Sequence, residues 1–410
     1  MYDKASIALI PSGFKSGVVD NLYSVLPSNG NGDFNHSRSS IATRVNKDGL
    51  IESVGYAPRL DYTGNVDCPH LLLEPNRTNL ITYSEDFSNG AWLKARSSIV
   101  ANNVISPDGL QTANKLNDNT DNNSHYIALN NSFSLGSYSA SIFAKKGTLD
   151  YLYIWFTGFN NVFDEEKVWF NLDSGYVGTT QSPIEASIED YGNGWYKCTA
   201  KSTADVAATG RISFAISNND NVSSYSGSGS DNIYLWGAQI EEGSYPTSYI
   251  PTSGSAETRT ADTCNNAGTS AEFNDSEGVL FAEVSTNADS NFKRISIHSG
   301  SYVNSVFLDF DNTNNLYGKV IVGGSAVVTI IASGLNIENN NKIALSYKEN
   351  DFKLFVNGSK VGTDVTGATP TGLNNLAFDL GGGQDFYGKC KQLIYFNEAL
   401  SDSELQTLTS

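Results

Sequence analysis

Hydrophobic and polar positions alternate with a period of two through much of this chain. In Tyr151-Leu-Tyr-Ile-Trp-Phe, the residues Tyr151, Tyr153 and Trp155 fall on one face, and Leu152, Ile154 and Phe156 fall on the other. Val168, Phe170 and Leu172 alternate with Trp169 and Asn171, and Asp173-Ser-Gly175 closes that strand. Trp195–Thr199, Arg211–Ile216 and Ile233–Trp236 follow the same rule. Further on, Gly278–Val284 opens a second set. Ile343, Leu345 and Tyr347 alternate with Ala344, Ser346 and Lys348, and Phe352, Leu354 and Val356 follow. Asn357-Gly358 supplies two residues that accept positive φ, which predicts a type I′ hairpin. Ser401-Asp-Ser-Glu404 is a capping box and predicts one short terminal helix. Many short strands separated by Asn, Gly and Asp turns predict an all-β chain of two antiparallel β-sandwiches of jelly-roll type.

These elements divide the chain. Residues 1–70 hold short apolar pieces (Ile7–Ile10, Leu22–Leu26, Gly49–Val54) between turn signals such as Pro11-Ser-Gly. No piece is long enough for its own core. The stretch therefore reads either as an extended arm ordered against a partner or as a strand-rich cap on the next domain. A first sandwich is expected over 71–252, a small polar linker over 253–272, and a second sandwich over 273–410. No fixed-period repeat relates the two sandwiches.

Composition narrows the function. With 26 Lys and Arg against 44 Asp and Glu, the formal charge is −18, which disfavours nucleic acid and anionic lipid as partners. The apolar runs are far short of a membrane span, and Met1-Tyr-Asp-Lys does not read as a secretory signal. Cys68, Cys198, Cys264 and Cys390 lack the paired spacing of a zinc site and are expected to be reduced and buried. His36, His70, His125 and His298 stand in no hydrolase motif, and Gly381-Gly-Gly383 lacks the Lys-Ser/Thr of a phosphate loop.

Several passages resemble a known family. Phe34–Glu52, Pro58-Arg-Leu-Asp-Tyr62, Leu71–Leu80, Tyr83–Trp92 and Tyr245-Pro-Thr-Ser-Tyr-Ile-Pro-Thr252 resemble tailed-bacteriophage virion proteins of the fibre, spike or head-decoration type. The middle region resembles jelly-roll carbohydrate-binding modules, through its Asn-Leu, Phe and Trp start and Ile233–Glu241. Lys342–Tyr347, Phe352–Gly358 and Tyr387–Leu405 are similar to concanavalin A-like, laminin-G-like domains. The resemblance implies a virion-surface structural protein. Residues 1–70 would attach it to other virion proteins, and it would form a homo-oligomer such as a trimer, although no heptad supports that number.

Sugar binding needs flat aromatic faces and planar polar groups. Tyr151, Tyr153 and Trp155 offer such a stripe, with Trp169 and Trp195 on other strands; the alternative is that each packs inward. Glycosidase chemistry needs two carboxylates at fixed separation. The candidates are Asp164-Glu165-Glu166, Asp309 with Asp311, and Glu283; Asp309 and Asp311 would share a strand face but lack the third acid of the concanavalin A-like glucanase pattern, and Asp164–Glu166 reads as a solvated hairpin tip. No cofactor is required. Calcium is compatible with the oxygen-rich runs 117–123, 218–221 and 309–315, and the jelly-roll resemblance points to Glu85 or Asp86 near Asp231. The expected function is a non-enzymatic virion display protein adhering weakly to host-surface glycan. The alternative is a depolymerase acting on host capsule.

Overall fold

The computed structural model describes residues 2–13, 22–64, 67–158, 162–181, 184–287, 292–313 and 315–410. Apart from a 3₁₀ turn at Tyr2–Lys4 and a helix at Asp402–Thr409, the regular elements described are strands. Among the described residues, no helix is long and apolar enough to cross a membrane. The chain forms two compact units. One comprises Met1–Ile41, Val54–Pro75 and Thr260–Ser410; the other comprises Ala42–Ser53 and Asn76–Arg259.

The first unit is a sandwich of an eight-stranded and a five-stranded sheet. The larger sheet centres on Glu277–Thr286 and Gly388–Phe396, and the smaller runs from Ser325–Ala332 to Asn375–Ala377. Leu280, Ala282 and Val284 pack with Val306, Leu308 and Phe310 in the core between them. The helix lies outside, where Leu405 and Leu408 join Phe281, Phe355 and Ile394. Its capping box is formed: Ser401 Oγ accepts from the Glu404 N–H, and the Glu404 carboxylate accepts from the Ser401 N–H at 2.9 Å. Asn357 and Gly358 have φ of 49° and 77°, joining Phe352–Val356 to Ser359–Asp364 as the hairpin requires.

The second unit has two six-stranded antiparallel sheets. Leu152, Ile154 and Phe156 enter its core with Ile127, Ile142, Phe170 and Phe214. The outer face of the sheet holding Gly136–Lys146 is covered by the hairpin of Ala42–Val45 and Ile51–Val54, which puts Val45 and Ile51 on Phe143, Trp195 and Trp236.

The boundaries differ from those read along the sequence. Residues 1–70 are not a separable arm. Ala5–Leu9 pairs with Gly388–Phe396, which also pairs with His70–Leu73, and that strand pairs with Arg59–Asp61. The hairpin at 42–53 belongs to the other unit. Nor is 253–272 a linker: Glu257–Arg259 pairs with Arg77–Asn79, and Thr263–Asn265 pairs with Asn35–Ser37. Ala5–Leu9 finds its ladder partner far away in the chain, which local pattern does not encode, whereas Ile51–Val54 pairs locally with Ala42–Val45.

Candidate functional site

The second sheet of the Asn76–Arg259 unit holds the aromatic stripe. Its strands, in spatial order, are Tyr176–Thr180, Lys167–Asn171, Tyr151–Gly158, Ala208–Ser217, His125–Phe133 and Leu93–Ala95. Alternation fixes which side chains face outward. Register then sets Trp155 between Lys167 on one neighbouring strand and Ser213 on the other.

Tyr153 and Trp169 share this outward side but are covered. Their rings stack with centroids 5.2 Å apart, and Tyr153 is 0% and Trp169 1% exposed. The loop after Ser217 closes over them: Tyr153 Oη donates to the Ser223 carbonyl at 3.0 Å, and Trp169 Nε1 to the Val222 carbonyl at 3.2 Å. Burial pushes the Tyr153 phenol up to about 12. These two residues are core, not ligand surface. Tyr151 is half-buried, and its hydroxyl meets Tyr176 Oη at 3.1 Å. Four residues from Trp155, and roughly 14 Å along the strand, it lies beyond the covered pair and makes no common site with Trp155.

Trp155 remains accessible and half-buried. Lys167 Nζ stands 4.7 Å from its ring centroid, and Tyr126 meets it edge-on at 5.9 Å. Two polar atoms on this half of the face, Trp155 Nε1 and Ser213 Oγ, have no hydrogen-bond partner among the described residues although shielded from water. Across the next strands Arg211 Nε donates to Asn130 Oδ1 at 2.9 Å, and Leu93, 44% exposed, borders the face. An unmet buried donor costs about 1–3 kcal/mol; both atoms are closed to water, so a ligand meets them only after the side chains over them move. Sequence reading missed Ser213, Arg211, Lys167 and Tyr126. The alternation in Arg211–Ile216 assigns Arg211 and Ser213 to one face, but nothing local says that this strand pairs with Tyr151–Gly158.

A concavity of about 160 Å³ lies in the same unit between Leu50, Ile105, Pro107, Tyr191 and Trp195. Its polar groups are already engaged. Lys145 Nζ donates to the Asn193 carbonyl at 2.7 Å, and Trp195 Nε1 donates to the Ile105 carbonyl at 3.1 Å. It therefore offers a ligand less than the sheet face does.

The calcium candidates do not converge. The Glu85 carbonyl accepts from Asn114 Nδ2 at one end of Ala113–Asp118, while the Asp231 N–H donates to Asp118 at the other end. Four strand residues, roughly 14 Å, lie between. Glu85 accepts from Tyr249 Oη at 2.9 Å, and burial pushes its carboxyl up. Asp86 is taken by the Ser88 N–H and hydroxyl, and Asp231 by Thr148 Oγ1. Among the described residues, no group of three or more His, Cys, Asp or Glu is placed to hold a metal.

Three of the catalytic candidates are engaged. Asp309 is buried against Arg294 at 2.9 Å and Lys319 at 3.3 Å. Asp311 closes its own turn; burial raises its pKa, but bonds from Asn315 and Thr313 outweigh this and hold it at about 2. Glu283 accepts from Asn340 at 2.7 Å. Asp164 and Glu165 are exposed, whereas Glu166 is buried rather than part of a solvated tip, and burial raises its carboxyl pKa. Of the cysteines, Cys68 is exposed and the other three are buried.

The passages that carry the phage resemblance have a structural role. His36, Arg38, Arg59 and Glu74 meet around buried Asp262. Arg38 Nη1 lies 2.8 Å and His36 Nε2 3.2 Å from Asp262, and Arg59 bridges Asp262 and Glu74. In the other unit, Asn79 bonds the carbonyls of Ala238 and Ile250, and Tyr249 Oη meets Ser84. These polar residues join distant segments inside each unit.

No protein-family model matches the chain, and no curated protein matches it. Among solved structures, the CBM40 of the Ruminococcus gnavus IT-sialidase, bound to alpha2,3 sialyllactose, is 19% identical at a TM-score of 0.30, covering 33% of this chain and 84% of that one. Domains LG4-5 of the mouse laminin alpha1 chain are 12% identical at a TM-score of 0.24, covering 69% and 90%. Trypanosoma rangeli sialidase is 10% identical at 0.29, covering 92% and 76%. At these scores none of the likenesses assigns a family or a function, and any functional reading rests on the residues of the chain itself.

Proposed function

We propose that this chain is a non-enzymatic β-sandwich display protein that binds glycan weakly through the open half of the sheet face around Trp155. The observation that carries the reading is the accessible indole of Trp155 on an outward sheet face, with Lys167 and the Arg211–Asn130 pair beside it. Carbohydrate recognition uses such a combination: an apolar ring for C–H faces and fixed polar groups for hydroxyls. The occupied state of Asp309, Asp311 and Glu283 supports binding over hydrolysis. The resemblance of residues 34–92 and 245–252 supplies the setting, the surface of a tailed-phage particle carrying several copies as homo-oligomers. Single-site dissociation constants of roughly 0.1–1 mM then suffice, because repeated copies raise the effective concentration.

The test is retention of the full chain on immobilised host-surface polysaccharide, compared with Trp155→Ala. Retention lost in the variant, with no new reducing ends released by the parent protein, is the expected result. Equal retention of the variant would remove the site, and release of reducing ends would favour the depolymerase reading instead.

A further inference from the structure

The charge on this face runs against that of the chain. Acidic residues outnumber basic ones 44 to 26. Yet the outward positions of the central strands carry Tyr151, Tyr153, Trp155 and Thr157, then Lys167, Trp169 and Asn171, then Arg211, Ser213, Ala215 and Ser217. The adjoining strand adds Tyr126, Ala128, Asn130 and Ser132. These positions include two cations and no carboxylate. Asp220, in the covering loop, is engaged by the Thr179 N–H and hydroxyl at 2.9 Å each. Asp164 and Glu165 belong to the connection beyond Thr157.

Resting on the glycan reading, we infer that the ligand is an acidic glycan, a carboxylate-bearing oligosaccharide held by Lys167 and Arg211 beside Trp155. Three features lead there. Lys167 opposes Trp155 directly, while Arg211 opposes Thr157 on the far side of the same strand. Two strand spacings and a two-residue offset put their Cα atoms roughly 12 Å apart, a span that one or two sugar rings bridge. The Lys167 ammonium rests over the indole, where an exposed cation–π contact is weak, roughly 0.5–1 kcal/mol. Its flexible stem can leave the ring for a carboxylate and free the indole for a sugar face. The Trp155 N–H and Ser213 hydroxyl, unpartnered in the same place among the described residues, are closed to water and become available to a ligand only as the side chains over them move. An overall acidic protein repels a polyanion at long range, so retention depends on local pairing and weakens with salt.

The experiment titrates the full chain with oligogalacturonate and hyaluronan fragments, and with the carboxyl-reduced neutral form of each. The acidic forms are expected to bind at least tenfold tighter at low salt. Lys167→Gln and Arg211→Gln should erase that preference, bringing the acidic forms down to the affinity of the reduced ones. Equal binding of acidic and reduced forms, abolished by Trp155→Ala, would overturn this inference and leave the glycan reading intact. No binding of either form would overturn both. Equal binding of a polyglutamate peptide would show recognition of charge alone and also overturn it.

Discussion

Trp155 and Trp169 sit on neighbouring strands and face the same way, yet they answer to different physics. Trp169 is stacked on Tyr153 under a loop, with its N–H bonded. Trp155 is half-buried with its N–H unmet. Trp169→Ala is therefore expected to cost about 3–5 kcal/mol in urea unfolding, whereas Trp155→Ala costs under about 2 kcal/mol. Equal losses would place Trp155 in the core. The alternation of residues 151–156 correctly separated the two faces of that strand. It did not reveal that the loop after Ser217 caps half of the outer face, because coverage is a tertiary contact with no local period. Polar residues carry a parallel lesson. Burial raises the pKa of Asp262, but Arg59, His36 and Arg38 outweigh that and hold it well below the usual carboxylate range. A depressed folded-state value stabilises fully above the unfolded pKa of about 3.9, and the benefit disappears as pH falls below it. Asp262→Asn should cost about 3–5 kcal/mol at neutral pH, since it leaves buried arginine charge uncompensated. The variant should also flatten the loss of stability below about pH 5, read by far-ultraviolet dichroism. An unchanged acid slope would show that other carboxylates dominate.

At the scale of elements, the hairpin at Asn357-Gly358 and the capping box at Ser401 were legible because each is specified within a few neighbouring residues. The strands of the N-terminal stretch 1–70 were not. Ala5–Leu9 is five residues long, and its partner, Gly388–Phe396, lies near the other end of the sequence. Ile7 and Leu9 are fully buried in the larger core, and Ala8 is buried on the opposite face of the same sheet. A partnerless edge strand and an assembly arm look alike in one dimension; what separates them is the existence of a distant acceptor edge. Removing residues 1–13 should therefore destabilise the unit rather than spare it. In hydrogen exchange, those amides of Leu393–Phe396 that face Ala5–Leu9 are expected to lose protection by at least tenfold. Unchanged protection there would restore the reading of a detachable arm.

The molecule as a whole is built by insertion. Asn76–Arg259 interrupts the other unit, and its two ends come back together where Arg77–Asn79 pairs with Glu257–Arg259. Joined ends are the condition under which an inserted domain can fold without its host. One further piece, however, comes from upstream. The hairpin at 42–53 brings Val45 and Ile51 onto Phe143, Trp195 and Trp236. Thr43 Oγ1 donates to the Tyr249 carbonyl at 2.5 Å, and the Ile51 N–H donates to the Pro107 carbonyl at 2.9 Å. A fragment of residues 76–259 keeps both six-stranded sheets and the central core, but it uncovers an aromatic patch that the hairpin normally shields. It is expected to fold, to bind an apolar dye that the full chain does not bind, and to unfold at a lower urea concentration. All five tryptophans, Trp92, Trp155, Trp169, Trp195 and Trp236, lie within this stretch, so their fluorescence follows the same unit in fragment and full chain. Trp195 and Trp236 lie beneath the hairpin, so their environment should change in the fragment while that of Trp169 is preserved. Restoring the hairpin by fusing residues 40–55 through a flexible linker should recover the midpoint and abolish dye binding. A bare fragment already as stable as the full chain would show that the hairpin decorates this sandwich without completing it.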